Sequence, residues 1–395
     1  MPRIIAPRLT GLSPRDPDEQ HRAATPLELL TDLCFVVAVA QASTQLHHAT
    51  SEDHLASGLV HYLLVFFAIW WTWLNFAWFA SAYDDDGVAY RLLTIFQIVG
   101  SLVIAAGIPR MFEGDFLLGV VGYVIMRVGL VVQWLRAAAG DPEHRTTCLR
   151  YAGGIVGVQL LWIVFLLLPE SEQQVLVFLV LAALDLAVPM WAERAGRTTW
   201  HAHHIAERYG LFFIIVLGET ILAVTVALQQ ALDEHDLDVD LVPVAAGGVL
   251  IVFSVWWLYF SRDDAARLEH ARGSGLEYLW GFGHYAVFAS AAAIGAALAS
   301  RVDVLTDHGG SATASARLLC LAVAVLLTVM WLLKVLPDDR SLATSARWGI
   351  AVVLVLALAG VEGPELWVGV VCVVLLCTEL LSQARSTDRG APGPA

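Results

Sequence analysis

Charge is what this sequence has least of. Charged residues make up 15% of its 395 residues, against about 25% in a water-soluble domain. Lysine is almost missing, with Lys334 alone among the 23 Lys+Arg. Too few polar residues remain to clothe a globular core in water, so a soluble fold is excluded. Cysteine is also sparse. Cys34, Cys148, Cys320, Cys372 and Cys377 follow neither a disulfide framework nor a zinc spacing. Walker loop, GxSxG elbow, HExxH, haem-attachment CxxCH and nucleotide fingerprint are all absent. No polar stretch is long enough for a soluble catalytic domain, which disfavours primary pumps and most enzymes and implies no cofactor. Residues 1–24 lack the apolar run of a signal peptide and read as a mobile cytosolic tail. The net charge of -14 argues against a nucleic-acid partner.

What the sequence has instead is apolar length. Hydrophobic residues make up 58% and the mean hydropathy is +0.67. Runs of about 20 apolar residues recur from end to end, enough to cross about 30 Å of hydrocarbon as helix. An all-α, polytopic membrane protein follows, with spans predicted at 27–47, 58–80, 91–112, 115–137, 149–168, 172–192, 206–230, 241–261, 277–300, 314–335, 346–361 and 364–383. The last two form a hairpin around Glu362-Gly363-Pro364-Glu365, and 385–395 reads as a disordered tail. The basic residues orient these spans. Arg110, Arg301 and Arg317 fall on one side, Arg127 lies within the fourth span, and every other Arg and the lysine fall opposite. Basic loops stay in the cytosol, so both termini are expected there and the acidic loop 233–240 outside.

The second half echoes the first. WFASAYDD (78–85) closes the second span and WLYFSRDD (257–264) the eighth; Gln97 and His284 sit at matching depth in the third and ninth. FVVAVAQA (35–42) aligns with FIIVLGET (213–220), setting Gln41 against Glu219. Two six-helix repeats, 25–200 and 201–384, are therefore expected in the same orientation, related by a pseudo-two-fold axis along the membrane normal. Chance recurrence of interfacial Trp and Tyr is the alternative.

The helices TPLELLTDLCFVVAVAQ (25–41) and ERYGLFFIIVLGETILAV (207–224), with WWTWLNFAWFASAYDDD (70–86) and QIVGSLVIAAGIP (97–109), resemble the bacterial low-temperature-requirement A (LtrA) family over nearly the whole chain. The resemblance implies a multi-pass protein of the bacterial inner membrane, in a family named for a cold-growth phenotype. It implies no particular substrate or reaction.

Ionisable residues within spans cost ~2.5–3.5 kcal/mol or more to insert and mark function by default. Glu219 stands about three turns into the seventh span. It reads as a proton carrier, as the partner of Arg127, or as a hydrogen-bonded structural group. Glu28 and Asp32 are four apart on one helical face. Glu28 also suits a cap after Thr25-Pro26, whereas Asp32 lies too deep for capping. Glu207 and Arg208 open the seventh span behind His201, His203 and His204, and either is a candidate partner for a group on the first span. HAHHIAE (201–207) reads as a polar interface and not as a closed metal set. Asp185, four residues before Pro189, joins Gln97, His284, Asn75 and His61 as intramembrane polar groups expected to line an interior. The outer segment 46–61, with His47, His48, His54, His61, Glu52 and Asp53, reads as a solvated loop, a weak divalent-cation site being the alternative.

Three functions fit: a proton-linked secondary transporter, an ion or proton channel, or a membrane-lipid factor or enzyme serving growth in the cold. Membrane lipids and an unidentified small solute or ion are the expected partners. Gly153, Gly154 and Gly157, and Gly247 with Gly248, permit close helix contact within one chain or in a homo-oligomer.

Overall fold

The computed structural model describes residues 11–19, 22–168, 172–233, 240–306 and 309–390. Among them are thirteen α-helices: α1 (Pro26–Ser51), α2 (Leu55–Tyr83), α3 (Val88–Phe112), α4 (Leu117–Gly140), α5 (Arg145–Phe165), α6 (Glu172–Ala192), α7 (Ala202–Asp233), α8 (Val242–Phe260), α9 (Asp264–Ala271), α10 (Leu276–Leu305), α11 (Ala312–Met330), α12 (Leu342–Ala357) and α13 (Glu365–Gly390). All but α9 form part of the twelve segments long and apolar enough to span a bilayer. They match the twelve expected runs one for one. Helix is the required form there, since backbone amides in hydrocarbon find partners only within their own segment.

The helices overrun the apolar runs because a hydrogen-bond ladder does not stop where hydrophobicity does. At the start of α1, Thr25 Oγ1 accepts from the Glu28 backbone N (3.3 Å) and Glu28 Oε2 from the Thr25 backbone N (2.7 Å). That is a capping box, with Pro26 in the first turn. At its other end α1 continues to Ser51, so His47 and His48 are helical and not in a loop. The short α9 was not expected, being too polar to register as a span. Asp263 caps it by accepting from Ala266 N at 3.0 Å. Most of the acidic segment 233–240, and residues 391–395 of the expected C-terminal tail, lie outside the described residues, while α13 runs helical through Gly390.

Polarity is inside out. Leu92, Phe253 and Val353 are each more than 60% exposed, while Glu28, Asp32, His204 and Arg208 are fully buried. A water-soluble protein does the opposite with its charges.

The chain divides into two compact units, Met1–Ala42 with Val60–Phe212, and Ser43–Leu59 with Phe213–Ala395. In the first, α3 through α6 pack each on the next. The α3–α4 crossing depends on glycine: a Cβ on Gly122 would stand 2.6 Å from Gly100 O. Part of the expected N-terminal tail packs on this unit. Leu12 is fully buried and bonds Arg136 O through its amide (3.0 Å), and Arg22 donates to Ser81 O (2.6 Å) and Ala80 O (2.7 Å). In the second unit α8 packs on α13, α10 on α11 and α11 on α12. Gly247 brings α8 against the α13 backbone, where a Cβ would meet Glu365 C at 2.3 Å.

Candidate functional site

In the first unit, two pairs of ionisable residues meet rung to rung. Glu28 and Asp32 share one face of α1, and His204 and Arg208 share one face of α7, each pair one turn apart. Glu28 lies 3.1 Å from His204 Nε2 and Asp32 Oδ1 lies 2.5 Å from Arg208 Nη2. All four side chains are completely buried. Trp73 Nε1 donates to Asp32 Oδ1 at 2.8 Å. Asp32 Oδ2 and Arg208 Nε and Nη1 have no hydrogen-bond partner among the described residues. Glu28 therefore both caps α1 and pairs across to α7. Beside the ladder, Trp78 Nε1 donates to Tyr209 OH at 3.0 Å. Glu207 points elsewhere and is exposed, as is His203. The face that matters runs through His204 and Arg208, about 100° round the helix from Glu207. Outside the spans, Asp84 is pushed up to about 6 by burial and by the nearby Glu28 charge.

Arg127 takes a partner that the sequence did not single out for it. It pairs with Asp185 at 3.1 Å, both 3% exposed, and not with Glu219. Asp185 Oδ2 also accepts from Tyr123 OH (2.8 Å) and Trp162 Nε1 (2.9 Å), and Arg127 bonds Tyr123 OH as well. This carboxylate is fully occupied as a counterion. Gln97 Nε2 donates to Gln133 Oε1 (2.8 Å), and Gln133 Nε2 to Thr94 Oγ1 (3.3 Å), bridging α3 and α4. Gln41 is half-buried on α1.

The second unit holds Glu219. It is half-buried on α7, and its side chain has no ion pair or hydrogen bond among the described residues. The backbones of α7 and α10 come together beside it at Gly295, where a Cβ would stand 3.0 Å from Glu219 C and Thr220 N. Thr220 Oγ1 donates to Ala291 O at 3.3 Å, fixing the contact. Glu219 lines a cavity of about 240 Å³ with Ser43, Thr44, His47, Gln230 and Asp303 as its other polar members. Leu222, Ala223, Val226, Ala296 and Val302 supply apolar wall. His47 Nε2 and Asp303 Oδ2 are 2.5 Å apart, and Ser51 Oγ donates to the same oxygen at 3.4 Å. His47, Gln230 and Asp303 also border a second cavity of about 510 Å³. Asp303 carries no signal in the sequence because it falls in the last turn of α10, beyond the apolar run. His47, a loop residue by its place in the sequence, is helical.

His284 is apart from this cavity. Its Nε2 lies 3.1 Å from Tyr259 OH and its Nδ1 2.7 Å from Trp280 O. Lys334 sits 3.6 Å over the Tyr259 ring and pairs with Asp264. No group of three or more His, Cys, Asp or Glu able to hold a metal occurs among the described residues.

Helices apolar outside and ion-paired inside define a multi-pass helical membrane protein. The chain belongs to the LtrA family: the family described as "Bacterial low temperature requirement A protein (LtrA)" matches residues 23–380. It is 28% identical over 284 residues to uncharacterized protein RA0937 of Rhizobium meliloti (strain 1021), a match covering 67% of this chain and 66% of the relative, just under two thirds of the latter's length. No solved structure matches at a significant level.

Proposed function

We propose that this chain is a proton-linked secondary transporter of a small solute in the bacterial cell membrane, with Glu219 taking up and returning the proton. One observation carries the reading: a mid-helix carboxylate, without an ionic partner among the described residues, faces a cavity large enough for a solute. The buried carboxylates within the spans of the first unit are paired. Asp32 has Arg208 and Trp73, and Asp185 has Arg127, Tyr123 and Trp162. Leaving one unpaired in hydrocarbon is costly, and binding a proton or a solute is what offsets that cost. In this reading the Glu28–His204 and Asp32–Arg208 ladder and the Arg127–Asp185 pair hold α1, α4, α6 and α7 in register, and Gln97 and His284 serve packing.

The same proposal keeps two same-orientation six-helix repeats, 25–200 and 201–384, with both termini in the cytosol. The ladder supports it. Both rungs join residues 176 apart, so α1 and α7 run parallel where they meet. Parallel spans require an even number of crossings from one to the other. A homo-oligomer would use Gly153 and Gly157, whose added Cβ atoms would meet nothing within 4 Å.

The test is proton movement in proteoliposomes, followed with an entrapped pH dye while pools of small solutes are added. Solute-dependent proton movement in the wild type, lost in Glu219→Gln, is the expected result. Proton flux without any solute would replace the transporter by a channel. A Glu219→Gln variant as active as the wild type would remove Glu219 from the mechanism.

A further inference from the structure

We infer that the Glu219 cavity is built for a small organic ammonium ion, its charged head held by Glu219 and Asp303 and its apolar body laid on α7 and α10. The inference rests on the transport reading above and names its substrate class.

Charge is the first argument. The cavity lining contains two carboxylates and one histidine and no Lys or Arg, so its field attracts cations and rejects anions. The hydrogen-bond inventory is the second. The Glu219 carboxylate accepts from no described residue. The Ser43 hydroxyl donates to Ala292 O at 3.5 Å, so its proton is turned away from a ligand. What this leaves toward the cavity is the unengaged carboxylate of Glu219, an acceptor. A ligand that satisfies it must bring donors, and an ammonium group brings up to three on one compact charge.

The third argument is the wall. Leu222, Val226 and Val302 offer a surface for carbon, which a bare metal ion or hydrated proton does not use. A metal cation is further disfavoured because no group of three or more His, Cys, Asp or Glu suited to one exists among the described residues. Size is the fourth. A cavity of roughly 150 Å³ suffices to hold benzene, and this one measures about 240 Å³. It therefore admits one ring or a short branched chain carrying an aminomethyl group. Exchange follows from these contacts: ionised Glu219 receives the ammonium, and protonated Glu219 has no charge with which to hold it. Proton and ammonium thus compete for one carboxylate, and an ammonium that binds where Glu219 holds a proton displaces that proton.

The test is isothermal titration of the purified full-length protein in detergent at neutral pH with benzylammonium, benzyl alcohol, benzoate and sodium ion, each alone. Saturable binding of benzylammonium only is expected, at least tenfold weaker in Glu219→Gln and in Asp303→Asn. Repeating the wild-type titration in buffers of different ionisation enthalpy reports proton release without any variant, and release is expected. Equal binding of benzyl alcohol or benzoate, displacement of benzylammonium by sodium at like concentration, absence of proton release, or failure of folded protein to bind benzylammonium would overturn the inference. Benzylammonium binding with proton release, but with no flux in proteoliposomes, would keep this site and refute transport. Proton-linked flux of a neutral or anionic solute, without benzylammonium binding, would do the reverse.

Discussion

The Asp32–Arg208 pair yields a prediction whose asymmetry is worked from the structure. Both side chains are fully buried and 2.5 Å apart. Removing one member of a buried pair costs roughly 3–5 kcal/mol, because the other charge is left uncompensated. The two halves differ in what they leave behind. Arg208→Gln leaves a carboxylate that still accepts from Trp73 Nε1 at 2.8 Å and can neutralise itself by taking a proton. Asp32→Asn leaves a guanidinium that cannot lose its charge and whose Nε and Nη1 have no described partner. Asp32→Asn should therefore fall near the upper end of that range and Arg208→Gln near the lower. The double variant should cost less than the sum, with a coupling of about 2 kcal/mol or more. Equilibrium unfolding in mixed detergent micelles, with the two singles and the double as a cycle, measures all three. Equal single costs, or a coupling below about 0.5 kcal/mol, the scatter of independent sites, would refute the reasoning.

Three further outcomes follow from the same geometry. Replacing Gly295 by valine puts a Cβ 3.0 Å from backbone atoms of Glu219 and Thr220, which cannot swing aside; a loss of about 1–3 kcal/mol is expected with altered solute binding, and a variant as stable as wild type contradicts the close approach. The carboxyl of Asp84 titrates at about 6 in the folded chain, against 3.8 ordinarily. The folded state then holds the proton more tightly than the unfolded state, so stability falls as pH rises from about 4 to about 6. At about 1.4 kcal/mol per unit this amounts to about 3 kcal/mol, and melting curves in detergent should flatten across that window in Asp84→Asn. Arg127→Met should be tolerated better than Asp185→Leu, since Asp185 keeps Tyr123 and Trp162 as donors while the freed Arg127 keeps only Tyr123; thermal stability of the two variants decides the order.

Much of the candidate site was visible as residues and little of it as partners. Glu28 and Asp32 stand out because four-residue spacing puts two acids on one face, and Arg208 because a cation near the head of an apolar run is rare. That Arg208 meets Asp32 was one expectation among several. Arg127 and Glu219 each looked like the other's counterion because each is the one ionisable residue near the middle of its span. Asp185 claims Arg127 through Tyr123 and Trp162, two aromatic side chains whose N–H and O–H groups carry no charge to advertise them. Asp303 lies beyond its apolar run and His47 at the very end of its own, where a polar residue reads as solvated.

The sequence by itself determined the twelve apolar helices, their approximate ends and the capping box that starts α1. Each is a local property: in hydrocarbon a segment satisfies its backbone hydrogen bonds internally, and a cap acts within one turn. Only the tertiary structure decided which charges meet, which carboxylate is left without a partner, and where a cavity remains. His47 and Asp303 are separated by 256 residues. Whether they touch depends on the rotation and approach of whole helices. Lipid is as apolar as leucine, so the apolar surface that drives a helix into the membrane exerts no comparable preference for which neighbour it takes there.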